Sequence, residues 1–157
     1  MRLFCYIEIH GRKGEYNSSS INEVLITIKT IMAKYVDGFV FVVPKKKMRA
    51  YKEMATVGKK MWMKHGALDY KECVGDDLKP KAMGGMKHRL FSEMAKARGG
   101  ETVCFSFIVY KSKQHRNQVN AKVMKDPMMN DQKWKDKPMP FDMKRFAYGG
   151  FKVIVDA

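Results

Sequence analysis

The sequence lacks the features of membrane, disulfide-rich and metal-binding proteins. Its longest uninterrupted apolar run, residues 39–43, is far too short to span a bilayer. It has only three cysteines, Cys5, Cys73 and Cys104, and they form no C-x-x-C pair. Neither a disulfide framework nor a zinc site is therefore expected. We predict a soluble cytoplasmic protein with reduced thiols, no metal, no cofactor and no association with a membrane.

Acidic residues are also scarce. The chain has 16 Asp and Glu against 31 Lys and Arg, which gives a formal net charge of +15. A field of this size attracts polyanions whatever the fold. The basic residues are nevertheless spread from Arg2 to Lys152 and form no single block. This distribution is more typical of a solvated surface than of a nucleic-acid interface, so nucleic acid is a candidate partner that we do not favour.

The length of 157 residues indicates one domain large enough to bury a core. Residues 1–31 are predicted to be an N-terminal extension, with a strand at residues 2–10 and a polar loop at residues 11–20. Met32 is a candidate alternative start of translation, because the compact pattern begins just after it. Residues 32–157 are predicted to form the folded domain.

Strand and helix patterns alternate along that domain. An apolar, β-branched and aromatic run at residues 35–43 ends at Pro44, as expected of a buried strand. Residues 45–65 have apolar side chains at steps of three and four, the spacing of an amphipathic helix, and Gly66 is a suitable residue to end it. The other predicted elements are strands at residues 67–74, 101–110 and 151–155, a short helix within residues 89–98, and a helix capped by Ser112 that ends near Lys125.

The resulting order, β-α-β-β-α-β, predicts an α+β fold of the ferredoxin-like type, with a four-stranded antiparallel sheet. Two helices are expected to cover one face of this sheet. The strand at residues 101–110 alternates between two sets of side chains, and the set containing Thr102 and Cys104 is assigned to the uncovered face. Monomers rarely leave such a surface exposed, so we predict a homodimer in which the two sheets pack together.

Four stretches of the domain, residues 35–40, 66–77, 101–107 and 139–151, resemble the YbaA-like family of small uncharacterised bacterial proteins. The first reads Tyr-Val-Asp-Gly-Phe-Val, and the last contains Met-Pro-Phe-Asp, Lys-Arg and Tyr-Gly-Gly-Phe. The resemblance is in register over about residues 32–156. It implies a dimeric α/β barrel, a fold that also occurs in cofactor-free monooxygenases and small-molecule isomerases. It implies no settled reaction.

The densest group of candidate functional residues lies within residues 139–151. Asp142 and Arg145, near Tyr148, form a constellation that can hold a carboxylate or phenolate ligand, with Arg145 making a forked contact. The alternative is a structural ion pair that fixes the turn before the last strand. The sequence alone does not distinguish these two roles.

Two further candidates lie on predicted strands. Asp37 interrupts an apolar strand, where an unpaired carboxylate is unfavourable. It is expected to lie at a strand edge, to act as a base with a raised pKa, or to pair with a cation such as Lys144 or Arg145. Cys104 has no histidine beside it in sequence, so a buried thiol is a simpler interpretation than a nucleophile.

Two sets of charged residues suggest ions as ligands. Glu72, Asp76 and Asp77 are all acids with no histidine at ligand spacing, so a polar turn is preferred to a metal site. Two basic clusters are candidate anion sites, the second one at a helix start. The residues of these clusters are Lys87, His88, Arg89, Lys113 and Arg116.

The predicted function is therefore that of a homodimer that binds a small molecule in a pocket between sheet and helices. The residues assigned to the pocket are Asp37, Cys104, Asp142, Arg145 and Tyr148. Whether the protein is also a cofactor-free enzyme is left open by the sequence. The alternatives are a basic RNA-associated protein and a structural or stress-related dimer without a ligand.

Overall fold

The computed structural model describes residues 5–9, 12–16, 23 and 34–156, except Met86 and Asp136. The chain divides after Ala33 into two compact units. In the first unit, β1 (Cys5–Ile9) and β2 (Arg12–Tyr16) form an antiparallel hairpin. β1 lies within the predicted strand, whereas β2 lies where the sequence predicts a polar loop. The candidate start residue Met32 is outside the described residues.

The second unit has the predicted ferredoxin-like architecture. Its strands are β3 (Tyr35–Pro44), β4 (Asp69–Val74), β5 (Glu101–Tyr110) and β6 (Ala147–Lys152). They form one antiparallel sheet in the order β4-β5-β3-β6. Its helices are α1 (Met48–Lys64), α2 (Phe91–Met94), α3 (Lys113–Met124) and α4 (Gln132–Lys135). No helix in the described part of the chain is long and apolar enough to cross a membrane.

Local signals in the sequence set the ends of the two long helices. Ser112 caps α3 as predicted, because its side chain accepts a hydrogen bond of 3.1 Å from the His115 amide. Gly66, just beyond α1, has a φ of 104°, a backbone conformation that glycine adopts without steric strain. The start of α3 is therefore set by a side chain that caps a free amide, and the end of α1 by a residue that adopts a positive φ without strain.

The helices cover the face of the sheet opposite to the one predicted. Thr102 and Cys104 are buried, and Cys104 packs in one cluster with Tyr51 of α1. The alternate set of β5 faces away from α1, and its Phe105 is 44% exposed. The predicted assignment was wrong because both sets alternate equally well and both contain apolar side chains. One end of this uncovered face is protected by Leu78 and Ala95, from the connection between β4 and β5.

The last strand begins and ends earlier than the predicted 151–155. Its pairing partner β3 starts at Tyr35, which lies opposite Lys152 in the ladder. Beyond this pair the Val153 amide continues the contact, through a 2.9 Å hydrogen bond to the Lys34 carbonyl. Ile154 is left 90% exposed despite its high strand propensity.

The paired glycines of β6 make room for one aromatic ring on each face of the sheet. A Cβ at Gly149 would lie 3.3 Å from the Phe151 ring, and one at Gly38 on β3 would lie 3.1 Å from the same ring. On the other face, a Cβ at Gly150 would overlap the Tyr35 hydroxyl and lie 2.8 Å from its ring. These glycines thus allow close approach by neighbouring aromatic side chains.

Candidate functional site

A cavity of about 460 Å³ lies between α1, the helix-covered face of the sheet and residues 128–146. This volume is within the range of about 300–1,000 Å³ that is usual for small-molecule sites. The walls are mainly aromatic rings and methionines from all three parts. They include Phe39, Phe41, Met54, Met61, Trp62, Met129, Trp134, Phe141 and Phe146.

The main polar feature of the cavity is a cluster around Glu72 of β4. The carboxylate accepts hydrogen bonds from the Tyr51 and Ser106 hydroxyls at Oε2. It accepts a third from the Tyr70 hydroxyl at Oε1, at 2.7 Å. All four residues line the cavity. The walls are thus apolar around one concentrated group of oxygen atoms.

The strand register brings this cluster together. Tyr70 and Glu72 are two residues apart on β4, so both side chains lie on the same face of the sheet. Ser106 is the residue directly opposite Glu72 in the ladder between β4 and β5. Tyr51 comes from the buried side of α1, which packs over this face.

The two tyrosines remain hydrogen-bond donors at neutral pH. Burial raises the pKa of Tyr51 well above its usual value, and the hydrogen bond to Glu72 raises it further. Burial likewise raises the pKa of Tyr70, with an added effect of the Glu72 charge. Because the phenols keep their protons, their hydroxyls donate to the carboxylate.

Cys104 packs in the hydrophobic core and is not among the described residues that line the cavity. Burial raises the pKa of its thiol to about 11, and the charge of Glu72 adds to this effect. A thiol of that pKa is almost fully protonated at neutral pH and is a weak nucleophile. Its position agrees with the interpretation of a buried thiol.

Arg145 and Asp142 lie together outside the cavity and bind one another. The Arg145 guanidinium donates to Asp142 at 2.9 Å, to both oxygens of Glu101 and to the Lys96 carbonyl. Asp142 also accepts from the Lys144 amide at 2.9 Å. Four of the five N–H donors of Arg145 thus bind protein groups, as in the structural ion pair considered above. These bonds also lower the pKa of Asp142, mainly through Arg145.

Asp37 pairs with Arg116 of α3, and the expected pairing with Lys144 or Arg145 was wrong. Asp37 is 1% exposed, and its Oδ1 lies 3.3 Å from Arg116 Nε. This contact is an ion pair and not a hydrogen bond, since neither of the two atoms has a hydrogen-bond partner among the described residues. Burial raises the pKa of Asp37, and the Arg116 charge opposes this shift. The pairing with Arg116 was not predicted from the sequence, because α3 and β3 are distant along the chain.

Tyr148 is the predicted pocket residue that lies near Asp37. Its hydroxyl interacts with the Asp37 carboxylate, and its ring stacks on Phe39 with centroids 4.9 Å apart. Burial and the Asp37 charge raise its pKa. The five predicted ligand residues thus occupy three places, and none is among the described residues lining the cavity.

The predicted anion-binding residues belong to two separate parts of the domain. Lys87, His88 and Arg89 are exposed in the connection between β4 and β5. Lys113 is exposed at the start of α3, whereas Arg116 lies against Asp37 and 5.3 Å from the centroid of the Tyr35 ring. The second predicted cluster is therefore divided by the pairing of Arg116.

Sequence reasoning missed the polar cluster of the cavity. Glu72 was grouped with Asp76 and Asp77 as a polar turn, although the predicted strand at residues 67–74 contained it. In the structure it lies within β4, while the two aspartates are exposed beyond the strand. The spacing of Tyr70 and Glu72 was the available signal, because alternate residues of a strand share a face. The sequence contains no comparable signal that joins Tyr51 or Ser106 to them.

Comparisons with known proteins find similarity over most of the chain. A family model described as "Protein of unknown function (DUF1428)" matches residues 34–143. The chain is also 42% identical over 123 residues to "Uncharacterized protein YbaA" of Escherichia coli K12 and to the protein of that name from Shigella flexneri. Each alignment covers 78% of this chain and 98% of the relative. These findings confirm the resemblance recognised in the sequence.

Proposed function

The chain belongs to the DUF1428 family, whose function is unknown, and we propose that it is a small-molecule-binding protein with its ligand site in the cavity beneath α1. The observation that supports this proposal is the combination of apolar walls with one polar cluster, at Glu72. Small-molecule sites are typically of this kind, because apolar walls provide affinity and a few polar groups orient the ligand.

The size of the cavity also supports a ligand. Protein interiors are close-packed and contain few voids larger than a water molecule. The pocket of about 460 Å³ instead opens to solvent beside the core clusters of Phe41 and Ile108, so a ligand can enter it without disrupting the packed core. Filling it with an apolar ligand would remove lining surface from water at a gain of roughly 25 cal/mol per Å².

We further propose that the protein is a homodimer joined through the uncovered face of the sheet. The residues of β3 and β5 in the middle of this face are uncharged, although 30% of the chain is charged. They are Val36, Gly38, Val40, Phe105, Phe107 and Val109. For a chain of net charge +15, an uncharged apolar face is the surface on which a second copy meets the least repulsion. A twofold axis lets the same patch serve both copies.

The cavity can be tested by narrowing its entrance. Ala50 is exposed on α1 and lines the cavity, whereas Thr56 is exposed on the same helix and is not among the described lining residues. We expect Ala50→Phe to weaken binding of the neutral fluorescent probe N-phenyl-1-naphthylamine. Thr56→Phe, the matched control, should bind the probe as the wild type does.

Native mass spectrometry of the protein from its own host provides an independent test. A natural ligand would add mass that disappears on denaturation, and Ala50→Phe should reduce the fraction with added mass. Equal probe binding by the wild type and Ala50→Phe, together with a bare native mass, would contradict the proposal.

A further inference from the structure

We infer that the cavity binds a cationic ligand, an amine attached to an apolar body, with the ammonium group against Glu72. This inference rests on the proposed function and adds the chemical class of the ligand. It follows from the charges, the hydrogen-bond donors and the rings that face the cavity.

Glu72 is a carboxylate with no basic group within 4 Å among the described residues. Within the described residues from 34 to 156, every other carboxylate that is at least partly buried lies within 4 Å of a basic group. The pairs are Asp37 with Arg116, Asp69 with Lys71, Glu101 with Arg145, Asp126 with Lys64 and His65, and Asp142 with Arg145. The partners of Glu72 are three neutral hydroxyls. A cationic ligand would supply the missing charge.

The other charged residues of the cavity already have partners. Glu53 is 3.5 Å from Arg49 on the solvent side of α1. The Lys137 ammonium lies 4.5 Å from the centroid of the Trp134 ring. Glu72 is therefore the one carboxylate among the described lining residues that has no basic partner.

The polar cluster also presents acceptors to a ligand. The Tyr51, Tyr70 and Ser106 hydroxyls use their hydrogens on Glu72, so their free lone pairs can only accept. Oε1 of Glu72 receives one hydrogen bond within the described residues and has room for a second donor. An ammonium group has three donors and no acceptor, and it fits this arrangement. A ligand carboxylate would place its charge against that of Glu72.

The walls suit a cation as well. The faces of aromatic rings have negative potential, and tryptophan gives the strongest attraction to cations. Trp62 and Trp134 both line the cavity, with Phe39 and Phe41 on the sheet side. The ammonium position of Lys137 over Trp134 is already a contact of this type.

The test uses three probes of the same shape and different charge: phenylbutylamine, phenylbutanol and phenylbutyrate. Binding is measured by isothermal titration calorimetry and by the fluorescence of Trp62 and Trp134, the two tryptophans of the chain, which both line the cavity. The buffer has about 0.15 M salt, where the screening length is about 8 Å. This limits non-specific attraction of the anion by the net charge of +15.

We expect the amine to bind about 10- to 100-fold more tightly than the alcohol, because a hydrogen bond to a charged group is stronger than a neutral one. The carboxylate should bind most weakly. The Glu72→Gln variant should bind the amine only as tightly as it binds the alcohol. Its affinity for the alcohol should be within about threefold of the wild-type value. Asp77→Asn, which removes an exposed carboxylate that is not among the described lining residues, should retain the preference for the amine.

The possible outcomes separate the inference from the function on which it rests. If the alcohol or the carboxylate binds the wild type as tightly as the amine, the cationic class is wrong and the cavity proposal stands. If none of the three probes binds, both are overturned. An amine preference that persists in folded Glu72→Gln overturns the role of Glu72. If circular dichroism shows that this variant is unfolded, the ranking of the probes on the wild type decides the ligand class.

Discussion

Arg145 donates through both terminal nitrogens to the two carboxylate oxygens of Glu101, at 2.7 and 2.8 Å. Its Nε donates to Asp142 at 2.9 Å. One side chain therefore connects the start of β5 to the turn before β6. The planar fork of arginine matches a carboxylate in a way that the single ammonium group of lysine does not.

We expect Arg145→Lys to lower the melting temperature by several degrees, although it conserves the charge. The variant loses the forked contact with Glu101 and the bond to the Lys96 carbonyl. Thermal unfolding followed by circular dichroism measures the change. Lys144→Ala is the control, because this neighbouring side chain is exposed. A melting temperature of Arg145→Lys equal to that of the wild type would show that the fork contributes nothing.

The same contact predicts a pH dependence of stability. The Arg145 hydrogen bond lowers the pKa of Glu101 from 4.5 to about 2. The folded protein thus takes up this proton less readily than the unfolded chain, so the stabilisation is complete above pH 4.5 and is lost as the pH falls toward 2. In urea unfolding, the free energy of unfolding should fall less between pH 4.5 and pH 2 for Glu101→Gln than for the wild type. Identical losses would contradict the assignment, whereas a residual loss is expected because the pKa of Asp126 is also lowered.

Arg116→Ala should destabilise the protein more at neutral pH than in mild acid. Burial raises the pKa of Asp37, and removing the Arg116 charge would raise it further. A raised pKa means that stability is lost as the pH rises through the folded value. We expect a loss of about 1–3 kcal/mol near pH 7 in urea unfolding. This is less than the roughly 3–5 kcal/mol for breaking a fully buried pair, because the Arg116 side chain is 21% exposed.

Lys113→Ala is the matched control for Arg116→Ala, because Lys113 is exposed on the same helix. It should have little effect at either pH. If Arg116→Ala lowers the free energy of unfolding equally near pH 7 and near pH 4, the charge of Asp37 is not the cause of the destabilisation.

Gly150→Ala should destabilise the sheet, whereas Gly99→Ala should not. The added Cβ at Gly150 would overlap the Tyr35 hydroxyl, whereas a Cβ at Gly99 would meet no described atom within 4 Å. Overpacking costs about 1–3 kcal/mol in a well-packed core, and we expect the lower end of this range because Tyr35 is only partly buried and its ring can shift. Urea unfolding of the two variants gives the difference, and equal stabilities would contradict the close approach of Tyr35 to β6.

Phe105→Glu should convert the proposed dimer to a monomer. Phe105 is 44% exposed on the uncovered face, and a charge there would be buried in the interface. Sedimentation velocity of the wild type and the variant measures the change in mass. Met63→Glu, at a 39% exposed position on α1, should leave the dimer intact. A monomeric wild type would contradict the dimer itself, and a dimeric Phe105→Glu would contradict the proposed face.

The order of the strands and helices could be predicted from the sequence, because the signals that start and end each element are local. The apolar strand ends at Pro44, Ser112 caps α3 through an amide three residues away, and Gly66 follows α1 in a conformation that glycine tolerates. Each signal depends on neighbouring residues, so no knowledge of the tertiary structure is needed. The sequence by itself therefore determined the ferredoxin-like fold.

The face covered by the helices and the composition of the candidate site were decided by the tertiary structure alone. Both sets of side chains on β5 alternate with the same period, so only the packing of α1 distinguishes them. Glu72 meets Tyr51 and Ser106, which are 21 and 34 residues away along the chain. Such contacts depend on strand register and helix packing, and these properties arise only when the whole sheet has formed.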